Sequence, residues 1–129
     1  MSRRDEVEYL MKRAKEFLET AKYQISNGFY GLAVFSLEQA LQLYLKSKIL
    51  AWGVEYPKTH SVRSLLEMLS DLATGEERSA IRSLVDDYLL ELGVLEDAYI
   101  TSRYVMREFK KGEVERLMNV VMKVMKNVA

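Results

Sequence analysis

Residues 29–52 constrain this chain more than any other stretch. Leu32, Ala33, Phe35, Leu37, Ala40, Leu41, Leu43, Tyr44, Leu45, Ile49 and Leu50 recur at helical spacing and cover more than one face of the helix they imply. A helix that is apolar over most of its circumference is either central to a bundle or buries a second face against another chain. Gly31, Ala33, Ser36 and Ala40 are small enough to let neighbouring helices approach closely. The rest of the fold has to be built around this rod. Its apolar surface is expected to exceed what its companions in one subunit can cover.

The flanking segments repeat at the same period. Val7, Leu10, Met11, Ala14, Phe17, Leu18, Ala21 and Ile25 form one stripe of a first helix, closed by Asn27-Gly28. Gly53 to Thr59, with the chain's one proline at Pro57, reads as a connector. A short third helix follows, with Val62, Leu65, Leu66, Leu69 and Leu72 inward and Thr59 or Ser61 as its cap. Thr74-Gly75-Glu76-Glu77 has capping-box spacing, with Thr74 at the N-cap and Glu77 three residues on. Ile81, Leu84, Val85, Tyr88, Leu92, Leu95 and Tyr99 then make the stripe of one long fourth helix, with Gly93 inside it for close packing. Lys110-Lys111-Gly112 marks the last break, before a closing helix striped by Val114, Leu117, Met118, Val121, Met125 and Val128. No stretch alternates at strand period. The expected fold is all-α, an up-and-down bundle of about five helices in a single domain spanning residues 1–129.

Composition narrows the function. A 129-residue chain that is 49% hydrophobic has material for one core. It has no cysteine, which excludes thiolate metal sites and thiol nucleophiles, and one histidine, which excludes His-rich centres. Glu76-Glu77 and Asp86-Asp87 lack the Glu-x-x-His pairs of di-iron bundles, so neither metal nor cofactor is expected. No apolar run reaches the roughly 20 residues that span a bilayer. The charged opening, Met-Ser-Arg-Arg-Asp-Glu-Val-Glu, is unlike a secretory signal, and a cytoplasmic location is expected. Nineteen basic residues balance nineteen acidic ones, so bulk attraction to nucleic acid is not expected. The charge is unevenly spread, however, with residues 64–100 strongly acidic and 103–129 basic.

The most specific text lies in the rod and the connector. Gly28-Phe29-Tyr30-Gly31-Leu32-Ala33 runs into Phe35-Ser36-Leu37-Glu38-Gln39-Ala40-Leu41 and then Leu45-Lys46. Gly53 and Pro57-Lys58-Thr59-His60-Ser61-Val62 follow, with Leu65-Leu66 and, later, Tyr99-Ile100-Thr101-Ser102-Arg103-Tyr104. Taken in order, these resemble the HEPN family (higher-eukaryote and prokaryote nucleotide-binding domain) over about residues 7–126. The resemblance implies a helical bundle, usually a homodimer, often working beside a separately encoded small nucleotidyltransferase. Many members are ribonucleases of toxin–antitoxin systems. Those use an Arg, four to six intervening residues and a His: the Arg stabilises phosphorane charge and the His moves protons. Here positions 108–110, counted from Arg103, hold Glu108, Phe109 and Lys110. Upstream of His60 the corresponding positions hold Gly53, Val54 and Glu55. The ribonuclease motif is absent, and the sequence predicts no cleavage of that type.

The residues that remain are candidates for binding. Arg103 and Arg107, with Tyr99 and Tyr104, could hold a nucleotide or RNA phosphate while a ring stacks on a base. Glu38, Gln39, Lys46 and His60 are expected to form a buried hydrogen-bond network or an interface contact. The leading expectation is a non-catalytic module that homodimerises and binds a nucleotidyltransferase, a nucleotide or RNA. The alternative is a metal-independent toxin ribonuclease with a variant site around Arg103. A plain helical adaptor is the third.

Overall fold

The computed structural model describes residues 2–104 and 106–129, apart from the side chains of residues 101–103. Six helices account for the ordered elements and no strand occurs among the described residues: α1 (Arg3–Ser26), α2 (Tyr30–Ala51), α3 (Val62–Leu72), α4 (Gly75–Asp87), α5 (Leu89–Tyr104) and α6 (Lys111–Asn127).

Each boundary has a local cause. Ser2 caps α1 by accepting from the Asp5 amide at 3.1 Å, while the Asp5 carboxylate accepts from the Ser2 amide. Gly28, at φ +76°, turns the chain back into α2, so α1 and α2 form an antiparallel helical hairpin. Ser61 caps α3 through the Ser64 amide at 3.1 Å. The other end of α3 is closed from outside. Arg78 of α4 donates to the carbonyls of Ser70, Asp71 and Ala73 at 2.9–3.1 Å, satisfying acceptors that a helix C-terminus leaves free.

Three expectations need correction. The long fourth helix is two helices, α4 and α5, parted at Tyr88, whose φ/ψ of −117°/27° leaves the helical region. Asp86 and Asp87 crowd negative charge at the end of α4, where the helix dipole disfavours it, and no basic residue offsets them in that turn. Thr74 occupies the N-cap of α4 but its side chain makes no capping bond. Gly75 enters at φ +57°, outside right-handed helical geometry, so the following amides are not presented to the Thr74 hydroxyl.

The third correction concerns α2. It packs against α1, α3, α5 and α6 together. Leu37, Leu41, Leu45 and Ile49 are wholly buried, and only Leu32 and Ala51 of its 22 residues are exposed. One subunit therefore covers the rod on all sides, and the surplus surface expected of it does not exist. Four helices touch it because each contributes a narrow stripe: Ala14 and Ala21 from α1, Leu65 and Leu69 from α3, Leu92 and Leu95 from α5, Val121 and Val124 from α6. Tyr44 adds a polar tie, its hydroxyl bonding the carbonyls of Met125 and Val128 at the end of the chain. No helix among the described residues is long and apolar enough to cross a membrane.

Candidate functional site

Burying a polar side chain in an apolar helix costs free energy unless each of its polar atoms finds a partner. Glu38 is wholly buried in the middle of α2, and it is partnered. Gln39 Nε2 donates to its Oε2 at 2.6 Å and Gln42 Nε2 donates to its Oε1 at 2.5 Å. Glu38, Gln42 and Lys46 stand at i, i+4 and i+8, one above another on the same helix face. Lys46 Nζ continues the line, donating to Gln42 Oε1 at 3.0 Å. It also sits 5.3 Å from the centre of the Tyr56 ring. Burial pulls the Lys46 ammonium below the ordinary lysine range, and the Glu38 carboxylate works in the opposite direction.

The connector brings the network to the surface. His60 Nδ1 lies 3.3 Å from Gln42 Nε2. An amide nitrogen can only donate, so Nδ1 accepts and the imidazole carries its proton on Nε2. The exposed ring stacks on Tyr99 of α5, with centroids 4.2 Å apart and planes 16° from parallel. Tyr99 in turn meets Phe35 of α2 at 6.4 Å. Position 103 falls one helical turn beyond Tyr99.

Five of the eight residues singled out in the sequence are thus assembled: Glu38, Gln39, Lys46, His60 and Tyr99. The Arg103 side chain lies outside the described residues. Tyr104 ends α5 with 73% of its surface exposed. Arg107 follows α5 and is engaged elsewhere. It pairs with Glu113 at 3.3 Å and lies 4.2 Å from the centre of the Phe109 ring. Gln42 is the member that the sequence reading missed, although it is the hub joining Glu38, Lys46 and His60. Its position four residues from both Glu38 and Lys46 was the available signal.

A second polar cluster stands beside the first. Arg63 grips Glu96 through Nε at 3.2 Å and Nη2 at 2.9 Å, and Ser61 donates to the same carboxylate at 2.7 Å. Burial raises the Glu96 carboxyl, but bonds from Arg63, Ser61 and the Arg63 amide outweigh it and hold the group below its ordinary range. The acidic 86–97 stretch therefore meets Arg63 and, at Glu91, Arg116. Among the described residues no three acidic or imidazole side chains gather as metal ligands would.

Chemically, the site offers a stacked aromatic pair, an outward imidazole donor and a buried carboxylate, with an arginine one turn away in sequence register. The class these features define is an all-α bundle with a polar network reaching from its central helix to its surface.

The HEPN domain profile matches residues 7–129, and the chain belongs to the HEPN domain family. The structure is similar to that of TT1696 from Thermus thermophilus, with a TM-score of 0.76 and 26% identity over 95% of this chain and 94% of the other. It is also similar to ST0689, an archaeal HEPN homologue, with a TM-score of 0.65 and 25% identity over 95% and 93% of the two chains. A search of curated proteins returns no match.

Proposed function

We propose that this HEPN domain is a non-catalytic binding module. It homodimerises, docks to a separately encoded small nucleotidyltransferase, and holds a nucleotide or RNA phosphate near Arg103, with Tyr99 and Tyr104 beside the base. The observation that carries this reading is the disposition of the chain's one imidazole. His60 accepts from Gln42 and stacks on Tyr99, and no arginine stands at the ribonuclease spacing from it. A histidine held in that way orients a recognition surface. Arg107, paired with Glu113, contributes only after that pair opens.

Thermal unfolding in the presence of nucleoside triphosphates tests the binding. A ligand at 100 times its Kd should add roughly 2.7 kcal/mol of stability, and Arg103→Ala should remove most of that gain. No shift with any nucleotide, and no retention of RNA, would leave the helical adaptor as the better account.

One observation favours the ribonuclease alternative. Arg103 follows Tyr99 by one turn, and Tyr99 stacks on His60, so an arginine and the one imidazole approach the same end of the bundle in register. Metal-independent cleavage of mixed RNA that disappears in both Arg103→Ala and His60→Ala would establish it.

A further inference from the structure

The Gln42 amide can point only one way, because each of its ends faces a group of a single kind. Its Nε2 lies 2.5 Å from Glu38 Oε1, and a carboxylate oxygen only accepts. Its Oε1 lies 3.0 Å from Lys46 Nζ, and an ammonium only donates. The opposite orientation would set two acceptors together at Glu38 and two donors at Lys46, around a residue only 5% exposed. One amide N–H therefore goes to Glu38, and the other is aimed at His60 Nδ1, 3.3 Å away. The imidazole is held against that donor. Its face stacks on Tyr99, and a half-turn of the ring would put a carbon where Nδ1 accepts. The chain beside it is anchored as well. The Ser61 amide donates to Thr59 Oγ1 at 3.1 Å, and the Ser61 hydroxyl to Glu96 at 2.7 Å. Nε2, on the other edge of this exposed ring, has no partner among the described residues.

We propose that Gln42 sets which base this site takes: it holds His60 as an Nε2–H donor, which favours uracil or guanine, with a carbonyl oxygen at that edge, over cytosine or adenine, with an amino group. The inference rests on the nucleotide reading of the proposed function, in which the phosphate lies near Arg103 and the base beside Tyr99. It adds the base. The two kinds of edge differ in what they offer. Uracil O4 and guanine O6 accept a hydrogen bond, whereas the N4 and N6 amino groups of cytosine and adenine donate one. A donor set against a donor forms no bond and leaves both groups unpaired. A neutral imidazole carries its proton on either nitrogen, so an unconstrained His60 would suit either edge. The Gln42 N–H removes that choice. Gln42 touches no base itself. It is a positioning residue that acts through His60, and Glu38 and Lys46 act through it by fixing the direction of its amide.

Two readouts test this. The chain has one histidine, so imidazole nitrogen resonances in the nuclear magnetic resonance spectrum of a nitrogen-15-labelled sample report His60 alone. In the neutral ring Nε2 should carry the proton and Nδ1 should be bare. Gln42→Glu should move the proton to Nδ1, because a carboxylate only accepts, and Gln42→Met should let both tautomers appear. A wild-type proton on Nδ1 overturns the proposal whatever the protein binds, and so does a spectrum that Gln42→Met leaves unchanged. The second readout is equilibrium binding of UTP, GTP, CTP and ATP. The wild type should bind UTP and GTP roughly two- to tenfold more tightly than CTP and ATP, the span of one neutral hydrogen bond. Gln42→Met should erase that difference, and Gln42→Glu, where circular dichroism shows it folded, should reverse it. Equal wild-type affinity for all four overturns the base assignment and leaves the nucleotide reading standing. Binding of none overturns both.

Discussion

Glu38 shows how a polar residue is accommodated inside an apolar rod. Its two oxygens receive donors from Gln39 and Gln42, so replacing it with glutamine turns one acceptor into a donor facing another donor. We expect Glu38→Gln to lose about 1–3 kcal/mol in urea unfolding, the range for a buried group deprived of its partner. Leu41→Ala, at a wholly buried position on the same helix, should lose about 2–5 kcal/mol by opening a cavity. Glu38 was legible in the sequence because a carboxylate amid Leu37, Ala40 and Leu41 has to be partnered. Its hub, Gln42, was not, because an amide in a helix reads equally well as a solvated residue until His60 is brought to it from the connector. Those two residues stand 18 positions apart, a separation closed only by tertiary packing.

At the scale of elements, the serine and threonine caps make opposite predictions. Ser61→Ala should cost about 1–2 kcal/mol, since Ser61 caps α3 and also donates to Glu96. Thr74→Ala should change stability by no more than about 0.5 kcal/mol, because no capping bond is lost. The capping-box spacing at residues 74–77 was visible in sequence, yet spacing cannot reveal that Gly75 enters the helix with positive φ. The break at Tyr88 was hidden for a related reason: neither glycine nor proline marks it, and the apolar period runs through it from Val85 to Leu92.

Glu96 adds a pH dependence. Its folded-state carboxyl lies below the ordinary value, so the bridge to Arg63 contributes stability above the unfolded pKa, about 4.3. That contribution disappears as pH falls through the lower folded value. Glu96→Gln should therefore cost about 1–2 kcal/mol at neutral pH, with Arg63 partly exposed to solvent. The gap between variant and wild type should close below pH ~4 in denaturant titrations. A constant gap down to pH ~2 would show that lost packing, not charge, is the cause.

For the whole molecule, the periodicity of the segments was sufficient to give an all-α bundle, and the order of small motifs was sufficient to suggest the family. What periodicity could not show was how many neighbours share α2. The apolar text of residues 29–52 is satisfied inside one subunit because four helices surround it. Amphipathic counting finds how much of a helix is apolar; only assembly shows what covers it. The assembled site brings His60, Tyr99 and the buried Glu38 network together at the end of the bundle toward which Arg103 is placed in register. On the proposed reading, the whole molecule recognises RNA or nucleotide without cutting it. The most direct test is electrophoresis of an end-labelled RNA incubated with the wild-type protein and with Arg103→Ala, run both under native conditions and after denaturation. We predict a native complex that Arg103→Ala weakens, and RNA of full length after denaturation in both samples. RNA fragments produced by the wild type and lost with Arg103→Ala would contradict the account.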